Sequence, residues 1–359
     1  MRTNVELTAR WRIGLATAMM TPRIHPSTDD PIAVLTDREG IGDILVKMPF
    51  LRALARFYPG HPVWWIAANG TAMAGIMRPY AEGAIVRVLE HTHLLGPRTV
   101  ALPALQALPR FSLVFDTRTR LASVWLARRH LRCDAFFTVL PVYALSHRRP
   151  PGRWTRPRSI WQRVLSLAEA AVGTALEPGT GLHCSEQALA ATAAMLPPGP
   201  VYVGLAPGSR EARKNWPIDR FVELAAGLGD EGLTPVVILG PFEEDLLVRL
   251  TPPPVGTVVV RLAAFPAVSQ RGALDPAIAI CRRLALMVAN DSGMGHTAGA
   301  VGVPVVSLFG PVDSRRWAPS APSNSIIEAR HYGSRKMEAI PVRVVHDAVM
   351  AMMRSAQRA

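Results

Sequence analysis

The chain has 359 residues, of which 49% are hydrophobic and 19% charged, a composition that favours two packed domains and excludes a disordered protein. Its formal net charge is +13, and all of its 40 basic residues except Lys47, Lys214 and Lys336 are arginine. This excess favours an anionic partner, namely nucleic acid, a membrane surface or a phosphorylated substrate, although arginine preference in the genome would also produce it.

Residues 1–30 form an extension before the first predicted domain. Several arginines precede a short apolar run at 13–20, and we expect an amphipathic surface helix or a disordered segment rather than a signal peptide, because no cleavage site follows cleanly. No uncharged stretch approaches the roughly 18 residues of a transmembrane helix. The cysteines Cys133, Cys184 and Cys281 are isolated, which indicates a reducing, cytoplasmic compartment.

The first half of the chain alternates between strands and helices. Short apolar runs predict strands at 32–36, 63–68, 84–90 and 111–117. After the first strand and a glycine-bearing turn, apolar spacing predicts one helix with a shared buried face: Ile44, Leu45, Met48, Leu51, Leu54 and Ala55. This alternation predicts a parallel sheet covered by helices.

The second half repeats this alternation. A basic, proline-rich loop at 147–158 and a helix come before a proline-rich boundary at 195–200. Strands are then predicted at 201–207, 234–240 and 303–310, with a further strand before residue 291 and a final helix at 342–353. The sequence thus predicts an extension at 1–30, a first Rossmann-like domain at 31–197, a second Rossmann-like domain at 198–335 and a C-terminal helix at 336–359.

The first segment with chemical potential is the turn that ends in Gly40-Ile41-Gly42-Asp43. A glycine turn between a strand and a helix leaves free N–H groups at the helix start. Asp43 is explained either as a helix-capping residue or as a general base at the mouth of the sheet. The spacing is not that of the GxGxxG dinucleotide fingerprint.

The second segment follows the strand at 201–207. Gly208 and Ser209 begin a loop in which Arg210, Arg213 and Lys214 stand within five residues, before Trp-Pro starts a helix. Such a loop at the carboxyl end of a parallel strand suits a diphosphate, and a solvated basic loop is the equal alternative.

The third segment places Asp291, Ser292, Gly293 and His296 between a strand and a small-residue helix. Its N–H groups can hold phosphate, and Asp291 can orient the loop or accept a hydrogen bond from a ligand hydroxyl. The fourth segment, FGPVDSRRWAP at 309–319, is interpreted mainly as a rigid turn.

Together these four segments resemble glycosyltransferase family 9, the lipopolysaccharide heptosyltransferase family. The resemblance covers about residues 31–356 and rests on four motifs in order: GDILVKMPFLRAL, APGSREARKNWP, NDSGMGHTAGA and FGPVDSRRWAP. It implies an α/β fold of two facing Rossmann-like domains, the GT-B architecture, with the acceptor on the first domain and the nucleotide sugar on the second.

The resemblance also implies roles for individual residues. Asp43 would be the general base of an inverting transfer, and Lys214 would stabilise the diphosphate. An acidic residue after the second strand of the nucleotide domain, Glu243 or Glu244, would hold the ribose. The implied nucleotide-sugar site comprises Gly42, Gly208, Ser209, Arg210, Lys214, Glu244, Asp291, Ser292, Gly293 and His296. No metal and no cofactor are expected.

The chain departs from the family pattern at Val46 and Lys47, where His or Thr is usual after Gly-Asp, at Ser292, where Thr is usual, and at Lys336. These departures concern the acceptor and the sugar more than the reaction type. The basic loop at 147–158 faces either anionic lipid or acceptor phosphates, or is simply exposed.

The leading hypothesis is heptose transfer from ADP-heptose to a lipopolysaccharide-core or similar glycan, by a cytoplasmic enzyme in peripheral contact with an anionic membrane surface. Another nucleotide sugar and acceptor are an alternative within this class. A nucleic-acid-binding protein would also explain the charge of +13, but no recognised binding module is present, so no nucleic-acid partner is expected. A dinucleotide oxidoreductase lacks its GxGxxG motif, and Asp43 with Lys214 disfavours an inactive sugar-binding relative.

Overall fold

The computed structural model describes residues 22–26, 29–81, 84–265, 272 and 274–357. This part of the chain builds two α/β domains, each on an entirely parallel sheet. The predicted fold class is therefore confirmed. The surface helix expected near the N-terminus lies outside the described residues.

The first sheet has five strands in the order β3-β2-β1-β4-β5. The strands are β1 (Ile32–Thr36), β2 (Val63–Ala67), β3 (Ile85–Leu89), β4 (Phe111–Asp116) and β5 (Cys133–Thr138). The helices of this half are α1 (Ile41–Leu45), α2 (Met48–Phe57), α3 (Arg98–Gln106), α4 (Leu121–His130) and α5 (Ile160–Val172). β1 and β4 are buried along their whole length, as expected for parallel strands covered on both faces.

The second sheet has six strands in the order β11-β10-β9-β6-β7-β8. The strands are β6 (Tyr202–Ala206), β7 (Thr234–Leu239), β8 (Val258–Arg261), β9 (Leu284–Asn290), β10 (Val305–Phe309) and β11 (Asn324–Glu328). The remaining helices are α6 (Glu186–Met195), α7 (Ile218–Asp230), α8 (Leu246–Arg249), α9 (Leu274–Cys281), α10 (Gly293–Val301), α11 (Ser314–Trp317) and α12 (Val342–Gln357).

Two details of the sequence prediction are wrong. The single helix predicted after β1 is two helices, because the chain turns at Val46 and Lys47 before Pro49. This break rotates the buried face of the second helix, so Ala53 is buried and the predicted Ala55 is exposed, while the other five residues of the predicted face are buried. The predictions also missed β5, β8 and β11, which are short and lie at or beside sheet edges.

The two domains are packed together rather than merely linked. α1 of the first domain contacts α10 of the second, and Leu274 and Ile278 of α9 belong to the core beneath the first sheet. α6 packs on α9, although the predicted boundary at 197/198 assigns α6 to the first domain; that boundary stays a prediction.

Arg52 on α2 fastens this junction through main-chain oxygens. Its guanidinium donates to the carbonyls of Gly179 (2.9 Å), Gly181 (3.0 Å) and Ala300 (2.7 Å), of which the last lies on α10. Burial lowers the pKa of Arg52 to about 10, which still leaves it charged at neutral pH. A cation at the C-terminal end of α10 also complements the helix dipole.

We predict that Gly299→Ala destabilises the protein although it lies in a helix. A Cβ at this position of α10 would lie 3.1 Å from the main-chain carbonyl carbon of Ser320 and 3.3 Å from Cβ of Ala321. Overpacking of this kind costs about 1–3 kcal/mol. The measurement is the free energy of unfolding from urea titration.

Gly227→Ala in α7 is the matched control, because its Cβ would meet only the His346 ring at 3.5 Å. Replacing glycine by alanine in such a helix should stabilise by up to about 1 kcal/mol. Equal effects of the two substitutions would contradict the assigned packing of α10.

Candidate active site

The loops that follow β6 and β9 meet where the strand order of the second sheet reverses. In parallel α/β sheets ligands bind at this point. Asn290 joins the two loops, because its amide donates to Pro207 O (2.7 Å) and accepts from Trp216 N (3.1 Å). Both Asn290 and Trp216 are buried, so the loop from Pro207 to Trp216 is held at both ends.

Lys214 and Asp291, predicted from separate motifs, form an ion pair in this place. Lys214 Nζ lies 3.0 Å from Asp291 Oδ2 and 3.0 Å from Glu211 Oε1. Burial alone would lower the pKa of Lys214, but the bonds to Glu211 and Asp291 outweigh it and raise this pKa overall. Lys214 is therefore a cation at neutral pH, and its side chain keeps 19% of its surface exposed toward a ligand.

The N-terminus of α10 opens beside this pair. Ser292 is the residue that precedes the helix, and its buried hydroxyl has no hydrogen-bond partner among the described residues. The space above Gly293 is open, since an added Cβ would meet nothing within 4 Å. An unpartnered hydroxyl and free helix N–H groups at one opening suit an anionic group.

His296 lies one turn along α10 and is buried. Burial lowers its pKa, Asp291 and Asp43 raise it to a smaller extent, and Lys214 lowers it again. The net result is a neutral imidazole at physiological pH. The imidazole therefore senses charges from both domains.

The structure separates the roles of Glu243 and Glu244. The carboxylate of Glu243 lies directly over Gly208 and Gly240, and burial raises its pKa although a backbone hydrogen bond at Gly240 opposes the shift. Glu244 is instead ion-paired with Arg261 on β8, whose Nε donates to it at 2.8 Å. Glu243 is thus the acidic residue that lies against the loop starting at Gly208.

The rest of this loop has a fixed shape. Gly208 leaves room for the Glu243 side chain, which a Cβ would displace. The Ser209 hydroxyl donates to Asn215 Oδ1 (2.6 Å), which closes the loop on itself. Arg210 is exposed and reaches across to the first domain, where its Nη1 lies 4.0 Å from the Cβ position of Gly40.

Asp43 stands opposite this group, at the start of α1. Its Oδ2 accepts a hydrogen bond from Gly40 N (2.9 Å), so Asp43 is the third helical residue of a cap rather than the residue before the helix. Its other carboxylate oxygen is left for a ligand. Gly42 has no heavy atom within 4 Å of its Cβ position, so the backbone here is open to the cleft.

A cavity of about 210 Å³ lies between the domains in front of Asp43. Its walls come from the turn after β1, the turn after β4, helix α5 and helix α11. The lining residues are Asp37, Arg38, Glu39, Asp43, Val46, Lys47, Thr117, Thr119, Ile160, Arg163, Val164, Arg316 and Trp317. The fourth sequence motif, interpreted mainly as a turn, therefore supplies a wall through α11.

Sequence reasoning missed the buried polar network at the base of this cavity. Glu39 and Lys47 form an ion pair with side chains only 2% and 10% exposed. Trp65 Nε1 donates to Glu39 (2.8 Å), and Lys47 also donates to Thr117 Oγ1 (3.1 Å). Through its bond to Thr117, Lys47 ties the turn after β4 to the segment that follows β1. The sequence analysis noted Lys47 only as a departure from the family pattern.

A second buried ion pair supports the turn after β4. The Arg118 guanidinium binds Asp116 through two parallel hydrogen bonds of 2.8 and 2.6 Å and donates to Leu94 O (3.2 Å). Both side chains are almost fully buried. The Asp-Thr-Arg pattern directly after an apolar strand was a usable signal for this pair.

Among the described residues, no helix is long and apolar enough to cross a membrane. Similarly, no three His, Cys, Asp or Glu side chains of the described chain are grouped as metal ligands.

The profile of glycosyltransferase family 9 (heptosyltransferase) matches residues 142–341. Lipopolysaccharide heptosyltransferase 3 of Escherichia coli (strain K12) is 33% identical over 124 residues, which is 33% of this chain and 33% of that protein. Lipopolysaccharide heptosyltransferase 1 of Pseudomonas aeruginosa is 24% identical over 292 residues, or 78% of this chain and 79% of that protein.

Solved structures show the same two-domain fold. A family 9 glycosyl transferase from Veillonella parvula superposes with a TM-score of 0.65 at 18% identity, covering 92% of this chain and 100% of that one. E. coli ADP-heptose lps heptosyltransferase II gives a TM-score of 0.60 at 19% identity, covering 91% and 99%. E. coli heptosyltransferase WaaC with ADP gives 0.60 at 17%, covering 89% and 99%. These likenesses confirm the GT-B architecture.

We predict that Lys47→Met strongly destabilises the protein, because it leaves the Glu39 carboxylate buried without its counter-charge. Removing one partner of a buried pair costs about 3–5 kcal/mol of the free energy of unfolding. The double variant Glu39→Gln/Lys47→Met should recover much of this loss, as measured by urea titration. Lys336→Met on the exposed surface is the control, and a loss at Lys47 no larger than at Lys336 would rule out the buried pair.

Proposed function

This chain belongs to glycosyltransferase family 9, the heptosyltransferase family, and we propose that it transfers a heptose from ADP-heptose to a hydroxyl of a lipopolysaccharide-core glycan with inversion at the anomeric carbon. One observation carries this proposal: α1 packs on α10, which brings Asp43 at the start of one helix opposite the Lys214–Asp291 ion pair at the start of the other. Two of the structural neighbours are E. coli heptosyltransferases, one of them solved with ADP.

In the proposed reaction the acceptor hydroxyl attacks the anomeric carbon from the side of the first domain. Asp43 removes the hydroxyl proton as the new C–O bond forms. The bond from the anomeric carbon to the diphosphate oxygen breaks on the opposite side, and ADP leaves with the bonding electrons. A single displacement of this kind inverts the anomeric configuration.

The second domain supplies the positive charge that this leaving group requires. Lys214 is held cationic by its two carboxylate partners, and the open N-terminus of α10 adds N–H groups and the Ser292 hydroxyl. Groups fixed in this way stabilise developing negative charge without having to reorganise. Arg210, which reaches across the cleft, adds a further cation on the acceptor side.

The nucleoside is proposed to lie over the loop that starts at Gly208. Glu243, rather than the predicted Glu244, has its carboxylate against this loop, whereas Glu244 is engaged by Arg261. Glu243 is thus the better placed of the two to accept hydrogen bonds from ribose hydroxyls. Neutral His296 is proposed to contact the phosphate or sugar without adding charge.

The acceptor is proposed to be a glycolipid that reaches the cavity from an anionic membrane surface. α4 begins next to Thr119 of the cavity wall and exposes Leu121 (63%) and Trp125 (48%). Four further arginines, Arg120, Arg128, Arg129 and Arg132, lie in the same segment, and residues 117–133 contain no acidic residue. A helix face of Trp, Leu and Arg suits the headgroup region of anionic lipid. The proposed location is the cytoplasmic face of a membrane.

We predict that Asp43→Asn and Lys214→Ala separate catalysis from donor binding. Asn keeps an acceptor for Gly40 N but cannot take a proton, so turnover should fall by roughly 10²–10⁴ while ADP affinity stays the same. Lys214→Ala should weaken ADP binding by roughly ten- to a hundred-fold, because a charge-assisted contact is lost. ADP affinity is measured by calorimetry and turnover with ADP-heptose and a core glycolipid.

Lys336→Ala, an exposed lysine that does not line the cavity at Asp43, is the control for loss of charge. Turnover at the wild-type rate in Asp43→Asn would eliminate this residue as the base. Unchanged ADP binding in Lys214→Ala would show that the diphosphate does not bind at Lys214.

We also predict that Leu121→Ser/Trp125→Ser reduces binding to vesicles that contain phosphatidylglycerol. The two substitutions remove apolar side chains that would enter the interface but leave the arginines in place. Co-sedimentation is the measurement, and Val255→Ser, a 97% exposed position on the second domain, is the matched control. Equal binding by all variants, together with salt-dependent binding of duplex DNA, would instead favour the nucleic-acid alternative.

A further inference from the structure

A second cavity, of about 320 Å³, lies behind helix α11. The short helix separates the two cavities, because Arg316 and Trp317 line the first and Asp313 and Arg315 line the second. The second cavity is lined by Arg158, Gly310, Pro311, Val312, Asp313, Arg315, Glu328, Arg330 and Arg335. Nothing in the proposed transfer reaction uses this set of residues.

The cavity carries an excess of positive charge. Four arginines face two carboxylates, and both carboxylates already have partners. Glu328 accepts from Ser314 Oγ (2.7 Å) and Arg330 Nε (3.0 Å), and Asp313 caps α11 by accepting from Arg315 N (3.1 Å).

The side chains of Arg158, Arg315 and Arg335 are thus left without a carboxylate partner in the described part of the chain. Guanidinium groups that share a cavity in this way repel one another until an anion joins them. Phosphate and carboxylate match their planar pairs of N–H groups.

The arginines come from both domains. Arg158 belongs to the basic loop of the first half, whereas Arg315, Arg330 and Arg335 follow β10 and β11. Cations of the two domains are also close together on the other side of α11. There, burial together with the charges of Arg156 and Arg316 lowers the pKa of Arg163 to about 10. Arginines of the two domains therefore face each other on both sides of this short helix.

We propose that the cavity behind α11 is an anion site that joins the two domains by binding a phosphate or carboxylate group of the acceptor. The proposal rests on the proposed function, because it assumes that the acceptor lies in the first cavity. An anionic group of the acceptor that extends past α11 would reach the second cavity. Its binding would draw Arg158 toward Arg315 and Arg335 and so hold the cleft around the acceptor.

The test uses Arg158→Gln/Arg335→Gln, which removes one cation from each domain and leaves every residue assigned to transfer unchanged. Arg343→Gln on α12, whose side chain is 91% exposed, is the control for loss of arginine charge. The KM for a phosphorylated core glycan should rise roughly ten-fold or more in the double variant. For the same glycan after phosphatase treatment, the KM of the double variant should equal that of the wild type, and so should its affinity for ADP.

A second arm is independent of any transfer reaction. Inorganic phosphate, added to the protein after ADP has filled the nucleotide site, should raise the melting temperature of the wild type and of Arg343→Gln but not of the double variant. Without phosphate the double variant should melt no lower than the wild type, because its cavity has lost mutual repulsion between arginines, and this shows that it is folded.

Equal phosphate stabilisation of the wild type and the double variant would overturn the anion site, whether or not the protein proves to be a transferase. Loss of phosphate stabilisation with an unchanged KM for the phosphorylated glycan would overturn the assignment to the acceptor and identify free phosphate as the ligand.

Discussion

The packing of α1 against α10 is the contact on which both halves of the candidate site depend. Each helix starts at a glycine turn that follows a central strand of its own sheet, so their contact brings two such turns to one cleft. One turn presents Asp43 and the other presents Asp291 and Ser292. The pKa of the buried His296 accordingly responds to Asp43 on one side and to Asp291 on the other. Arg52 holds the far end of α10 in place through three carbonyl oxygens.

The two sides of this cleft are built from different kinds of interaction. On the second domain, the Lys214–Asp291 pair is partly open, and its charges remain available to a ligand. On the first domain, Glu39 and Lys47 are buried and largely satisfy each other, so their role is to fix the turns after β1 and β4. Fixed turns hold Asp43 in one position, whereas open charges suit a leaving group that gathers charge only during reaction.

The sequence predicted the alternation of strands and helices and the two parallel sheets, because both follow from local spacing. It did not predict what depends on distant pairing. Lys47 follows β1 and Thr117 follows β4, so these two residues meet only when β1 and β4 are neighbours. Arg163 and Arg316 share a wall that joins α5 to α11. The edge strands β5 and β11 were also missed. Asp134 lies within β5 and Asn324 begins β11, so neither strand shows a continuous apolar run. Nor could the sequence show that Glu243 lies over Gly208 while Glu244 pairs with Arg261.

The order of strands in the second sheet constrains how this domain can assemble during synthesis. β6 pairs with β9, so Tyr202 must find Leu284 after β7 and β8 have been made. Closing so long a loop costs entropy before any pairing contributes stability. The 207–217 loop leaves the ribosome early, yet the bonds that hold Pro207 and the main chain of Trp216 come from Asn290 at the end of β9. A nascent chain that stops short of β9 therefore lacks the residue that holds this loop to the sheet, so this half of the candidate site can take shape only after β9 has been made.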